Sequence, residues 1–332
     1  NSNDPAGTGT LIVWNVGDID AGAAGQRTLT FDAVVDQNAA GGASYTNSAQ
    51  IIGHTLPDTL ADASDRRGDR TTGAQRDVPI APATQDKSVT PTSAPVGETV
   101  TYTLTTTIPA NANYYFVDLK DQLPRGVEFV TGSAQVLNAS GLTINPVPTV
   151  APIASGPYGQ QLNWEINSGT ISTSSSARQI VISYQAKIRD AVVSAPPTNL
   201  ATFSWNTSST TNDPASRLSD DGTAAVTILN PNLGITKDVR FNDAQGTTGW
   251  GQTATGNPDR GLEYRLVVRN SGTSAAHHSV VVDTLPVGVV NPTAFTINGV
   301  AISSPNTAVY NSTNRTVTWT LPGAIVNGGS VT

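Results

Sequence analysis

Thr99-Val100-Thr101-Tyr102-Thr103-Leu104-Thr105 alternates strictly, with Val, Tyr and Leu on one side and Thr on the other. A period of two over such a run predicts a half-buried β-strand. Thr suits its outer face because a β-branched side chain packs well on a pleated surface. Working outward, the unit containing this strand opens at Gln85-Asp86-Lys87-Ser88-Val89 and continues through Val96-Gly97-Glu98. It turns at Asp121-Gln122-Leu123-Pro124-Arg125-Gly126 and ends at Thr198-Asn199-Leu200-Ala201-Thr202-Phe203. Tyr264-Arg265-Leu266-Val267-Val268 and Ser279-Val280-Val281-Val282 read as strands of the same kind. Pro and Gly separate the runs, and no long stretch carries helical periodicity. The fold class expected is all-β, a sandwich of short strands.

The unit recurs. Trp14, Trp164 and Trp319 sit in similar apolar runs, spaced by 150 and 155 residues. Leu29 to Val34 matches Ile182 to Ile188, and Tyr45-Thr46-Asn47-Ser48-Ala49 matches Pro197-Thr198-Asn199-Leu200-Ala201. Lys87-Ser88-Val89 matches Lys237-Asp238-Val239, Tyr102 matches Tyr264, and Asp121-Gln122-Leu123-Pro124 matches Asp283-Thr284-Leu285-Pro286. A repeat of this length marks a tandem array. The expected division is a C-terminal part of one repeat at 1–80, a complete repeat at 81–228 and an N-terminal part of a third at 229–332, with a loop insertion at 241–261. The joints Pro79-Ile80-Ala81-Pro82-Ala83 and Leu229-Asn230-Pro231-Asn232 are short and Pro-bearing, hence semi-rigid, so the expected arrangement is a rod.

Composition narrows the function classes. The 332 residues carry a net charge of −7, and only 13% are charged. An acidic surface argues against nucleic acid and against docking on anionic lipid. No run of 18 or more apolar residues occurs, so no membrane insertion is expected in this segment. The chain has no Cys and no Met, which removes disulfides, thiolate metal sites and easily oxidised side chains. Signatures of phosphate loops, serine-hydrolase elbows and metal-binding His pairs are missing, so an enzyme is not expected.

The ordered pattern Lys-x-Val, Gly-Glu-Thr-Val-Thr-Tyr, Asp-x-Leu-Pro-x-Gly and Thr-Asn-x-Ala resembles the isopeptide-forming domains of bacterial fimbrial proteins and surface adhesins. It is similar to the collagen-adhesin A-type sandwich and related Ig-like tandem repeats. The resemblance implies a Lys on the first strand, an Asn on the last and an acid between them, the Lys and Asn joining as an amide. Lys87 and Asn199 take the first two roles and Asp121 the third, with Asp118 the weaker alternative because Val280 replaces it in the third copy. The partial copies contribute Lys237, Asp283 and Asn47. The implied function is a structural segment of an extracellular, cell-surface fibre, stalk or adhesin, locked by its own chemistry, with neighbouring repeats of the same protein as partners. Two alternatives stand beside it. One is an adhesin module gripping a glycan or host protein. The other is a pilus, sheath or surface-layer subunit in which Lys237 of one copy meets Asn47 of the next. The doubled Trp strand favours an excerpt of a longer array over such a subunit.

Other readings of the same residues stay open at this level. Lys87 and Lys237 also suit guards of a sheet edge. Asp121 and Asp283 suit Asx turns before Leu-Pro-x-Gly, and Asn47 and Asn199 suit turns. The tryptophans read as core anchors. No cofactor is expected, with Ca²⁺ the one possibility: acid-rich loops are expected at Asp58 to Asp69 and Asp213 to Asp221, with Asp213, Asp220 and Asp221 as weak ligand candidates.

Overall fold

A computed structural model describes residues 2–3, 10–20, 22, 25–36, 38–53, 70–166, 169–173, 175–189, 198–302 and 307–332. The expected acid-rich loop at Asp58 to Asp69 lies outside the described residues. The chain forms two compact units, Asn1–Gln37 and Asn38–Thr332. Among the described residues, no helix is long and apolar enough to cross a membrane.

Within Asn1–Gln37 the expected strand at Leu11 to Val16 does not form. Among the described residues Leu11 pairs only with Ser2, and Ile12 to Asp20 has no regular structure. Trp14, expected as a core anchor, is 43% exposed and packs against Phe31 at 5.7 Å between ring centroids. An apolar alternating run becomes a strand only beside a partner. Trp164 has that partner, lying opposite Leu119 in a ladder, and is buried.

In the second unit the residues from Thr84 to Ala225 build two packed sheets. One orders the strands Gln135–Asn138, Arg178–Ile188, Thr99–Ile108 and Thr84–Thr90, with Val127–Phe129 also on Arg178–Ile188. The other orders Thr149–Pro152, Tyr158–Trp164, Asn113–Pro124, Thr198–Asn206 and Arg217–Ala225, with Thr170–Ser172 also on Asn113–Pro124. Neighbouring strands in both sheets run antiparallel. Inward residues of both sheets, including Leu104, Leu119, Leu123, Leu162, Trp164, Ile182 and Phe203, share one core.

Three sequence expectations change here. Asp121 is not in a turn; it lies within the Asn113–Pro124 strand, between Leu162 and Ala201, and the chain reverses after it at Gly126, where φ is 82°. Asp220 and Asp221 are not in a loop, because Arg217–Ala225 pairs along its whole length with Thr198–Asn206. Asn199 therefore stands on the next-to-last strand of this sandwich, not the last. Gly222 explains why an acid-rich stretch is a strand at this place. A Cβ there would sit 2.8 Å from the backbone carbon of Asp86 and 2.9 Å from the nitrogen of Lys87. Only a bare backbone lets the edge of one sheet close on the edge of the other.

The hairpin Ser44–Gly53/Arg70–Pro79 precedes this sandwich. Its approach, Ala39 to Gly42, is tied to the sandwich end: Ala40 bridges Asn113, and Trp205 Nε1 donates to the Gly41 carbonyl at 2.8 Å. After Leu229, Leu233–Asp243 pairs with Leu262–Asn270, and Val280–Thr284 with Thr316–Thr320. A smaller core of Val268, Ala276, Ile297, Leu321 and Ile325 lies there, with Trp319 half-buried against it. The expected loop insertion folds back on its base: Val239 and Gly251 exchange both backbone hydrogen bonds, at 2.8 and 3.1 Å. Trp250 is held between the Arg240 and Arg265 guanidinium groups, 4.3 and 4.6 Å from its ring.

Candidate functional site

The Lys87 strand, Thr84–Thr90, presents Gln85, Lys87 and Val89 to the interior. Two polar residues at core positions break the apolar pattern, and such a break marks a functional place rather than a stability element. Gln85 is satisfied locally, its Oε1 accepting from Thr106 Oγ1 at 2.6 Å. Lys87 reaches across the core. Its Nζ donates to Asp121 Oδ2, and both side chains have no exposure to solvent. Lys87 is thus no guard of a sheet edge.

Asp121 and Asn199 come from the facing sheet. Asp121 lies opposite Ala201, and Asn199 is two residues from Ala201 on the same face. Both are fully buried. Asp118, on the outer face, pairs instead with Lys120 at 2.5 Å. The structure therefore brings Lys87, Asp121 and Asn199 together from three strands of two sheets.

The hub is a residue that the sequence reading quoted only as part of a repeat. Tyr184, on Arg178–Ile188, donates from its hydroxyl to Asp121 Oδ2 at 2.8 Å. The Tyr184 hydroxyl oxygen also accepts from Asn199 Nδ2 at 2.6 Å and lies 3.5 Å from Lys87 Nζ. Tyr102 stacks on Tyr184 at 5.5 Å between centroids, and Trp164 and Phe129 complete an aromatic wall around it. Lys87 Nζ sits 5.0 Å from the centre of the Tyr102 ring. The available signal was the inward alternation of Tyr102 and Tyr184 together with the Tyr102–Tyr264 match. A hydroxyl's partners, however, depend on pairings between distant strands.

Burial sets the electrostatics. It lowers the Lys87 amine from 10.5 to about 8, against the opposing pull of Asp121. It raises the Asp121 carboxyl, against the opposing pull of the Lys87 charge and of the hydrogen bonds from Lys87 and Tyr184. Both shifts favour the neutral forms, as expected when two charges lose their water. Burial, followed by the nearby Asp121 charge, also raises both Tyr184 and Tyr102, so each keeps its proton. Three buried atoms of this cluster have no hydrogen-bond partner: Asp121 Oδ1, Asn199 Oδ1 and the Tyr102 hydroxyl. Two unpaired acceptors in a dry core are costly while Asp121 is ionised. Moving the shared proton from Lys87 to Asp121 yields a free amine and a carboxylic acid able to donate to the Asn199 carbonyl. These are the ingredients of acyl transfer: an amine nucleophile, an amide and an acid in one buried cluster.

The matching residues outside this sandwich are placed differently. Lys237 Nζ donates to Asp283 Oδ1, and the amine lies 4.5 Å from the centre of the Tyr264 ring. The Lys-Asp-Tyr arrangement thus recurs, but the Lys237 side chain is 36% exposed. Asn47 lies exposed on the Ser44–Gly53 hairpin strand, opposite Arg76. The weak Ca²⁺ candidates are engaged with protein groups. Asp213 accepts from the Ala215 amide, Asp220 from the Gln85 amide and Asp221 from the Thr202 hydroxyl. As successive strand residues, Asp220 and Asp221 point to opposite faces.

No protein-family model matches the chain. No curated protein matches it either. Among solved structures, it is similar to the 35 kDa C-terminal fragment of the major pilin GBS80 of Streptococcus agalactiae, at 15% identity and a TM-score of 0.33, over 63% of this chain and 88% of that one. It is also similar to the pilus backbone RrgB of Streptococcus pneumoniae, at 17% identity and a TM-score of 0.29, over 63% of this chain and 55% of that one. The full-length major pilin SpaD of Corynebacterium diphtheriae gives 11% identity and a TM-score of 0.34, over 75% of this chain and 86% of that one. The chain spans about half the length of the RrgB structure. With identities and TM-scores this low, function rests on the geometry of the site itself.

Proposed function

We propose that this chain is a structural segment of an extracellular surface fibre or stalk, and that its complete repeat locks itself with an amide between Lys87 and Asn199. The observation that supports this best is the solvent-free cluster in which Lys87 meets Asp121, and Tyr184 joins that pair to Asn199. A lysine and a carboxylate buried together stabilise a fold poorly compared with apolar residues, so their presence calls for a chemical role. In the reaction, neutral Lys87 Nζ bonds to Asn199 Cγ while the protonated Asp121 hydrogen-bonds the carbonyl oxygen, where negative charge develops. The Cγ–Nδ2 bond then breaks. Lys87 gives up one proton, the departing nitrogen gains one, and ammonia leaves. The step occurs once per molecule and is self-modification rather than turnover. The amide closes a loop of 112 residues. By the chain-entropy estimate that stabilises the repeat by about 5 kcal/mol. Because the bond joins the two sheets directly, it carries load that would otherwise peel strands apart.

Intact mass tests the reading. The expected mass is one ammonia below the sequence mass, with Lys87 and Asn199 peptides linked after digestion, and Lys87→Ala restores the full sequence mass. A wild-type protein at its sequence mass sinks the proposal.

A further inference from the structure

We infer that Tyr184 is a catalytic residue of this bond formation, carrying a proton from Asp121 to the amide nitrogen that leaves Asn199. The inference deepens the self-linking reading above and rests on it. The proton lost by Lys87 must reach Nδ2, because an amide nitrogen departs readily only as ammonia. The hydrogen bond that Nδ2 makes is to the Tyr184 hydroxyl, at 2.6 Å. The Tyr184 hydroxyl in turn contacts Asp121 Oδ2, at 2.8 Å, and that carboxylate oxygen is also the partner of Lys87 Nζ. Nucleophile, acid, phenol and leaving group therefore form one unbroken chain, Nζ to Oδ2 to Oη to Nδ2. The direct gap from Nζ to the phenol oxygen is longer, at 3.5 Å.

The protons balance along this chain. Attack forms the Nζ–Cγ bond while the other Asp121 oxygen gives its proton to the carbonyl oxygen, which leaves Asp121 a carboxylate; that proton returns to Asp121 when the carbonyl re-forms. Nζ then passes one proton to Asp121 Oδ2. Asp121 Oδ2 passes a proton to the Tyr184 oxygen as Tyr184 delivers its own to Nδ2, which has become a basic amine in the tetrahedral intermediate. The Cγ–Nδ2 electron pair leaves with nitrogen, and the carbonyl re-forms. Lys87 has lost one hydrogen, ammonia has gained it, and Asp121 and Tyr184 end as they began. The resting hydrogen bonds run in the opposite direction, from Nδ2 to Tyr184 to Asp121. A hydroxyl both donates and accepts, so its rotation reverses them without moving a heavy atom. Tyr102, stacked beside Tyr184, has a hydroxyl with no hydrogen-bond partner and so does not join this chain.

The test follows the rate of ammonia loss by intact mass after full-length chains from denatured inclusion bodies are refolded by dilution. Tyr184→Phe should slow the loss by about a hundredfold or more, the usual worth of a positioned proton donor. Tyr114→Phe, which removes a buried hydroxyl bonded to the Ala81 carbonyl, should leave the rate unchanged. Fluorotyrosines installed at position 184 keep the shape and lower the phenol pKa; the rate should shift progressively along that series, which a purely steric role would not produce. A Tyr184→Phe rate within about threefold of wild type, or a rate indifferent to fluorination, overturns the relay while leaving the bond intact. A wild-type chain that never loses ammonia overturns the relay and the self-linking reading together.

Discussion

In the proposed linkage Asp121 has two tasks in one dry core: it accepts the proton that makes Lys87 a nucleophile, and it uses a proton to polarise the Asn199 amide. Asp121→Asn removes the first task, so linkage should fall below detection by intact mass. The pH dependence follows from the two shifts. Lys87 is lowered to about 8 and Asp121 is raised. Between the two pKa values of this coupled pair it holds a single proton, which internal transfer can place on Asp121. Below that window both groups are protonated and the amine is not nucleophilic. Above it the shared proton is gone and Asp121 has no acid to offer. The refolding rate of linkage should therefore be bell-shaped, falling on the alkaline side where the pair loses its last proton, as ammonia loss measured across buffers will show. An alkaline limb that keeps rising through pH 10 would mean that only amine deprotonation matters.

At the scale of strands, the site depends on how closely the Arg217–Ala225 strand approaches the Lys87 strand. Gly222 is the point of contact, with Gln85 O and Asp86 C both 2.8 Å from where a Cβ would be. Backbone atoms cannot rotate away, so Gly222→Ala must push the strands apart. The expected cost is about 1–3 kcal/mol in the unlinked protein, read by denaturant unfolding in a Lys87→Met background. Linkage should also slow, because Lys87 moves with its strand. Wild-type kinetics in the Gly222→Ala protein would show that the approach does not position the amine. The acid-rich character of this strand misled the sequence reading, because clustered Asp suggests a loop. Its carboxylates are instead taken up by a backbone amide of the Lys87 strand and by the Thr202 hydroxyl.

For the molecule as a whole, the two lysine sites differ in access. Lys87 has no side-chain exposure and Lys237 has 36%. Brief treatment with an amine-acylating reagent should label Lys237 and spare Lys87, as peptide mass mapping would reveal; equal labelling would contradict the burial described here. The amide should also govern thermal behaviour. Removing about 5 kcal/mol from a unit of this size corresponds to a fall in Tm of roughly 10 °C or more. Lys87→Met, which keeps side-chain volume, should show that loss by calorimetry; an unchanged Tm would contradict a stabilising link. The exposed hairpin carrying Asn47 and the sandwich are tied at Gly41, where a Cβ would meet the Tyr114 ring at 2.2 Å.

The sequence by itself determined the all-β class, most strands between Thr84 and Ala225, and the recurrence of Lys87, Asp121 and Asn199 as Lys237, Asp283 and Asn47. Strands and recurrence follow from local alternation and spacing, whereas the roles proposed for the trio came from the resemblance to isopeptide-forming domains. Local pattern alone did not decide which runs pair. The Trp14 and Trp164 stretches read alike, yet only the second lies in a ladder, because a strand exists only where a neighbour satisfies its backbone. Nor could it distinguish a turn from a strand at Asp121, or a loop from a strand at Asp220 and Asp221, since those residue types are compatible with both. Tyr184 as hub was beyond it altogether. Whether a buried hydroxyl bonds a carboxylate, an amide or nothing depends on the register of strands far apart in the chain, and its neighbour Tyr102, with the same ring on the same face, is left without a partner.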